Sequence, residues 1–233
     1  MKIGVVTFPG SNCDADTLEA LSVIGVPVRH LFHEERDLDD LDAVILPGGF
    51  SYGDYLRSGA LAAKAPVMRS LWVAVQTRQL PVLGICNGFQ ILTEAGLLPG
   101  SLRANAHGEF RCAWQTVRVT AASALFPGLS AGELLRLPIA HGEGAYYVAS
   151  GELGQLFGDH EAWLQYVDDQ GMLSVWANPN GSVANIAGVM RGSVAALMPH
   201  PERAMMAELG STDGRRLLQA WVDGVRGRTF HAS

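Results

Sequence analysis

Residues 2–95 alternate short runs that are apolar throughout with stretches of helical periodicity, and this alternation narrows the fold more than any other feature. Lys2 to Phe8 reads as a buried strand, followed by a Pro-Gly-Ser-Asn turn and a helical pattern of Thr17, Leu18, Leu21 and Ile24 that Gly25 closes. Val26 to Phe32 reads as a second strand, and Asp42 to Leu46 as a third that ends at Pro47-Gly48-Gly49. Leu61 to Leu80 supplies a long helical region, and Pro81 to Ile85 a fourth strand running into a helix over Gly88 to Ala95. A strand without a polar face must be covered on both sides, so such strands alternating with helices imply a parallel sheet between two helical layers.

Beyond Phe110 the pattern changes. Phe110 to Thr120, Leu134 to Ile139, Trp163 to Val167, Ser174 to Trp176, Val183 to Val189 and Val194 to Met198 are strand-like runs. Turn signals such as Asn178-Pro-Asn-Gly181 and Arg191-Gly192 separate them, which fits antiparallel hairpins. A last helix is expected from about Ser211, a suitable N-cap, to Val225. With no Pro/Gly/Ser-rich linker and no internal repeat, residues 1–233 are expected to form a single α/β domain. Its architecture would be a three-layer sandwich with a mainly parallel central sheet and extra antiparallel strands in the C-terminal half.

Hydrophobic residues make up 48% and charged residues 17% of the chain, without a long polar tract, which argues for an ordered globular protein. The formal charge of −6 speaks against a nucleic-acid partner, because a phosphate-tracking surface needs clustered Lys and Arg. No run approaches the roughly 18 apolar residues of a membrane span, and the N-terminal run lacks a signal-peptide pattern, so a cytoplasmic protein without a membrane partner is expected. Three cysteines, Cys13, Cys86 and Cys112, are too few and too scattered for a disulfide framework or a zinc site. Asp37-Leu-Asp-Asp-Leu-Asp42 has no accompanying His or Cys and reads as a solvated connector, so no metal is expected.

Cys86 stands apart from the other two cysteines. A lone cysteine is usually buried filler. Gly84-Ile-Cys-Asn-Gly88, however, has the strand-turn-helix form of a nucleophile elbow, with Cys where the hydrolase pattern has Ser. Glycine on either side leaves room for a strained turn, and the start of a helix favours the anionic form of a thiol. A thiolate nucleophile needs a base, and the base an orienting group. Among seven His, His200 lies in Met198-Pro-His-Pro-Glu202 at the end of an expected strand. Pro201 biases it toward extended backbone, so that His200 and Glu202 project to one side.

These residues resemble the class I, triad-type glutamine amidotransferase family, whose catalytic order is Cys followed by His-x-Glu near the C-terminus, and the match covers nearly the whole chain. It rests on Leu46-Pro-Gly-Gly-Phe-Ser-Tyr-Gly-Asp-Tyr-Leu-Arg-Ser-Gly-Ala60, Gly84-Ile-Cys-Asn-Gly-Phe-Gln90, Pro138-Ile-Ala-His-Gly-Glu-Gly144, Asn178-Pro-Asn-Gly-Ser182 and Met198-Pro-His-Pro-Glu-Arg-Ala204. Within the family the chain is most similar to glutaminase subunits that serve purine biosynthesis.

The resemblance implies a flavodoxin-like fold, L-glutamine as substrate and Cys86, His200 and Glu202 as catalytic residues. It further implies backbone oxyanion donors at Gly49, in the Gly48-Gly49 loop, and at Asn87, and glutamine contacts from Gln90, His141, Gly142 and Glu143. No cofactor is expected in this chain, which lacks a P-loop. ATP and Mg would be used by a large synthetase subunit, joined through a small bridging subunit. Two other readings stand beside this one: a stand-alone cysteine hydrolase or peptidase on the same fold, and a non-catalytic regulatory subunit. Cys13 and Cys112 read as structural.

Overall fold

In the computed structural model, which describes residues 1–229, a nine-stranded mixed sheet carries helices on both faces. The first half builds its parallel part: β1 (Ile3–Thr7), α1 (Asp14–Ile24), β2 (Val28–Phe32), β3 (Ala43–Leu46), α2 (Pro66–Arg78), β4 (Val82–Ile85) and α3 (Asn87–Glu94). Strands β3 and β4 are buried at every position, which is why their sequences show no alternation. Helix α1 ends where Gly25 takes a left-handed conformation, φ 77°, and α2 begins on Pro66, whose missing N–H has no partner to lose there.

The second half contributes β5 (Ser101–Arg103), β6 (Arg111–Val119), β7 (Leu134–His141), β8 (Ala145–Tyr147), α4 (Ser150–Gly158), β9 (Leu164–Val167), β10 (Ile186–Arg191), β11 (Val194–Leu197) and α5 (Asp213–Thr229). The sheet order is β2-β1-β3-β4-β11-β10-β9-β6-β7, with β5 and β8 forming a separate antiparallel pair. Strands β2, β1, β3, β4 and β11 are parallel, and every pairing from β11 onward is antiparallel. Strand β7 alternates exposed or half-buried with buried positions, as expected where one face meets solvent. The buried apolar side chains form one continuous cluster, in which Trp163 stacks on Phe126 at 4.3 Å.

The architecture is the expected α/β sandwich, with local differences beyond the short β5–β8 pair, which the sequence reading did not contain. Ser174–Trp176 is a loop rather than a strand: the Ala177 N–H turns back to the Ser174 carbonyl, and Val175 and Trp176 stand in the open. Val183–Asn185 is a 3-10 turn, and the strand begins only at Ile186. Helix α4 has no counterpart in the sequence reading, because its two interior glycines and single buried residue, Leu156, give no apolar stripe.

Candidate active site

Strands β4 and β11 are adjacent and parallel, with Leu197 opposite Ile85, so whatever follows each strand emerges on the same edge of the sheet. Cys86 follows β4 and His200 follows β11. The Cys86 N–H donates to the Leu197 carbonyl at 2.8 Å, tying the two exits together. Cys86 sits at φ 49°, ψ −103°, a strained combination for a residue with a side chain and one that costs about 1–3 kcal/mol. Its neighbours are glycines because nothing else fits. A Cβ on Gly84 would lie 2.5 Å from the Leu92 Cδ1, and one on Gly88 would lie 2.0 Å from the Leu46 carbonyl oxygen.

Pro201–Arg203 forms a 3-10 turn, and His200 precedes it at φ −106°, ψ 87°. His200 is non-helical, as expected from Pro201, but falls short of the extended region, and it is the turn after it that swings Glu202 back. The His200 Nδ1 and Glu202 Oε1 lie 2.6 Å apart, and both residues are buried. The His200 N–H donates to the Pro138 carbonyl of β7 at 2.8 Å, and the Cys86 sulfur faces the Ala140 carbonyl of the same strand at 3.8 Å. Burial by itself pushes the His200 pKa down. The Glu202 carboxylate, with Cys86 and Cys13 beside the ring, outweighs that and holds it well above the ordinary 6.5. The His200 Nε2 is buried and has no well-formed hydrogen bond among the described residues, although both sulfurs interact with the ring.

The expected oxyanion and substrate segments are joined by one chain of hydrogen bonds. The Ser51 N–H donates to the Asn87 Oδ1 at 3.2 Å, the Asn87 Nδ2 to the Gln90 Oε1 at 2.8 Å, and the Gln90 Nε2 to the Glu143 carbonyl at 2.6 Å. Gly49 takes φ +136°, where a Cβ would meet the Asn12 N at 2.8 Å. Asn87 opens α3, so its N–H has no partner within the helix. Burial raises the carboxyl of Asp54 above the ordinary range; a Ser58 hydrogen bond opposes the shift and the charge of Glu143 adds to it. Asp54 thus belongs to the same neighbourhood.

The His141 ring is taken up by the protein itself. Its Nδ1 faces the Asn105 Oδ1 at 3.2 Å and its Nε2 faces the Asn180 Nδ2 at 3.5 Å. The neutral form with the proton on Nδ1 satisfies both contacts. Burial, reinforced by the charge of His200, lowers its pKa to about 4. Asn180 also donates to the Gly144 carbonyl at 2.8 Å, and Ser182 accepts from the Tyr146 N–H at 3.0 Å. Asn178-Pro-Asn-Gly-Ser182 therefore anchors the segment from His141 to Gly144.

The sequence reading missed Cys13. It is 3% exposed and packs against His200 and Gly48: a Cβ on Gly48 would lie 2.7 Å from the His200 Cε1 and 3.2 Å from the Cys13 Sγ. Among the described residues, Cys13, His200 and Glu202 are the one group whose potential metal-ligating atoms lie within 4.8 Å of one another. The Arg203 Nη2 donates to the Cys13 sulfur at 3.2 Å, so one of these three groups already has a fixed cation as its partner. Cys112 lies exposed on β6 and is not a member of this group.

Residues 1–222 match the CobB/CobQ-like glutamine amidotransferase domain family. The phosphoribosylformylglycinamidine synthase subunit PurQ of Symbiobacterium thermophilum is 48% identical over 99% of both chains. The chain belongs to the PurQ family of glutamine amidotransferases. The PurQ subunit of Thermomicrobium roseum is 53% identical over 94% of each chain. Among solved structures, PurLQS from Thermotoga maritima contains a chain 40% identical, with a TM-score of 0.83, covering 95% of this chain and 97% of that one.

Proposed function

We propose that this chain is the glutaminase subunit of a phosphoribosylformylglycinamidine synthase, with Cys86 as nucleophile, His200 as acid and base, and Glu202 as the group that orients His200. One observation carries the reading. A cysteine on a strained turn and a buried, hydrogen-bonded His–Glu pair leave adjacent parallel strands on the same edge of the sheet.

The chemistry runs on those groups. The Cys86 sulfur attacks the side-chain amide carbon of glutamine, and the resulting oxyanion is met by the backbone N–H groups of Gly49 and Asn87. The His200 Nε2 proton passes to the departing nitrogen, the C–N bond breaks, and ammonia leaves a glutamyl thioester on Cys86. The neutral His200 then takes a proton from water, whose oxygen attacks the thioester carbon and releases glutamate. The hydrogen-bond chain through Asn87 and Gln90 supports this assignment by linking the Gly49–Ser51 loop to the segment at residues 141–143. That segment contributes backbone groups to glutamine binding while the His141 ring holds it in place.

Ammonia passes to a large synthetase subunit, which uses ATP and Mg for the ligation and is joined by a small bridging subunit. The three-component PurLQS structure supports this partnership. The test is Cys86→Ala in the assembled complex. Glutamine-dependent synthesis should vanish while synthesis from added ammonia continues, and surviving glutamine turnover would remove Cys86 from its role.

A further inference from the structure

We propose that Cys13 is a positioning residue of the glutaminase reaction, its sulfur clamped by Arg203 and holding the His200 imidazole in line between Glu202 and Cys86. The inference rests on the catalytic reading above. Cys13 immediately precedes α1, at the opposite end of the chain from His200, yet the sheet order brings the two together across the loop after β3. The Cys13 N–H donates to the Gly48 carbonyl at 3.4 Å, and its own carbonyl accepts from the Thr17 Oγ1 at 2.8 Å, so the backbone beneath the sulfur is pinned on both sides. The thiol donates to the Asn12 Oδ1 at 3.3 Å and accepts from the Arg203 Nη2 at 3.2 Å. Arg203 is in turn held by Asp16, its Nε donating at 3.0 Å. Both hydrogen-bonding directions of the sulfur are thereby used, and its remaining surface lies against His200.

This arrangement answers a mechanical need. The Nδ1–Glu202 hydrogen bond fixes one point of the imidazole, but a ring held at one point still rocks about it. Gly48 supplies no side chain on the flank bearing Cε1, because a Cβ would collide there, and the Cys13 sulfur borders that same space. Cys13 takes the place a wall residue would otherwise fill. Arg203, adjacent to Glu202 in the turn that follows His200, makes the clamp and the orienting carboxylate move as one unit. The charged and titratable groups facing His200 are Glu202 from its own turn, Cys86 from the start of α3, Cys13 before α1 and His141 on β7, with Arg203 acting on Glu202 and Cys13.

The experiment compares Cys13→Ala, Cys13→Ser and Arg203→Met in the assembled complex, recording kcat and KM for glutamine across pH, with ammonia-dependent synthesis as control. Cys13→Ala should lower kcat on the order of tenfold with KM nearly unchanged, since a small misplacement of a reacting group is costly. Its alkaline limb should move to lower pH, because a partner that favours the imidazolium has gone. Cys13→Ser, which keeps a donor and an acceptor, should recover most of kcat, and Arg203→Met should fall between the two. Unchanged kcat and an unchanged alkaline limb in Cys13→Ala would overturn the proposal. If that variant does not fold, wild-type kcat and pH profile in Arg203→Met overturn it instead. A Ser variant as inactive as the Ala variant, with Cys86→Ala still active, would make Cys13 the nucleophile and sink the catalytic reading itself. Wild-type behaviour of Cys13→Ala beside an inactive Cys86→Ala would sink only the present inference.

Discussion

Replacing His141 by asparagine removes one titrating group from the interior while keeping a donor toward the Asn105 Oδ1. In the native protein this imidazole is 3% exposed and its pKa is lowered to about 4, whereas in the unfolded chain it returns to 6.5. Between those two values the unfolded state binds a proton that the folded state refuses, so stability rises with pH and is lost on acidification. Each pH unit is worth about 1.4 kcal/mol, giving a total of about 3 kcal/mol once the pH has fallen from 6.5 to about 4. The expected outcome concerns the difference between native protein and His141→Asn, in which other carboxylates and histidines largely cancel. Urea unfolding followed by intrinsic fluorescence at half-unit steps from pH 7.5 to 4 should show a constant offset above 6.5. Below it the native protein should lose about 1.4 kcal/mol per unit relative to the variant. Parallel stability curves across that window would refute the claim that a neutral, twice-bonded His141 locks the segment.

Gly88→Ala puts a methyl 2.0 Å from a backbone oxygen of β3, which no rotamer relieves, so it should cost about 3 kcal/mol or more in urea unfolding and abolish glutamine hydrolysis. Gly154→Ala in α4, with nothing within 4 Å of the new carbon, should instead gain about 0.5–1 kcal/mol in the same assay. Glu202→Gln removes the charge that raises His200, so the alkaline limb of glutaminase activity should shift to lower pH; a pH profile identical to the parent would contradict the assigned cause. Because the His200 pKa is raised by folding, its favourable contribution is complete below 6.5 and fades as pH rises through the folded value. The Gln variant should therefore lose more stability at pH 6 than at high pH.

The parallel half of the fold is legible in the sequence because burial on both faces leaves an uninterrupted apolar signature, punctuated by Gly25, Pro47 and Pro81. Cys86 is legible for a similar reason: two flanking glycines mark a steric demand, and Leu92 and Leu46 impose it. The strands β5 and β8 are three residues each, too short for periodicity to register, and Val175 and Trp176 imitate a strand by composition while joining no sheet among the described residues. Cys13 carries no local sign of its role. Its partners, His200 and Arg203, lie about 190 positions away, and only the sheet order makes them neighbours. The same holds for Asn105 and Asn180, whose side chains meet at His141 from opposite directions in the chain.

The pairing of β4 with β11 has a consequence for how such a site tolerates change. Neighbouring strands stay about 4.8 Å apart because their backbones are hydrogen-bonded, whatever side chains they carry. The interval between Cys86 and His200 is set by that spacing, by the Cys86–Leu197 bond and by the bond from the His200 N–H to the Pro138 carbonyl of β7. The hairpin that returns the chain from β10 to β11, at Arg191-Gly192-Ser193, sits at the far end of the strand. Residues can be added or removed there without moving the chemistry, whereas a one-residue slip of β11 against β4 would turn His200 to the wrong side of the sheet. Length is free at one edge of this molecule and register is fixed at the other.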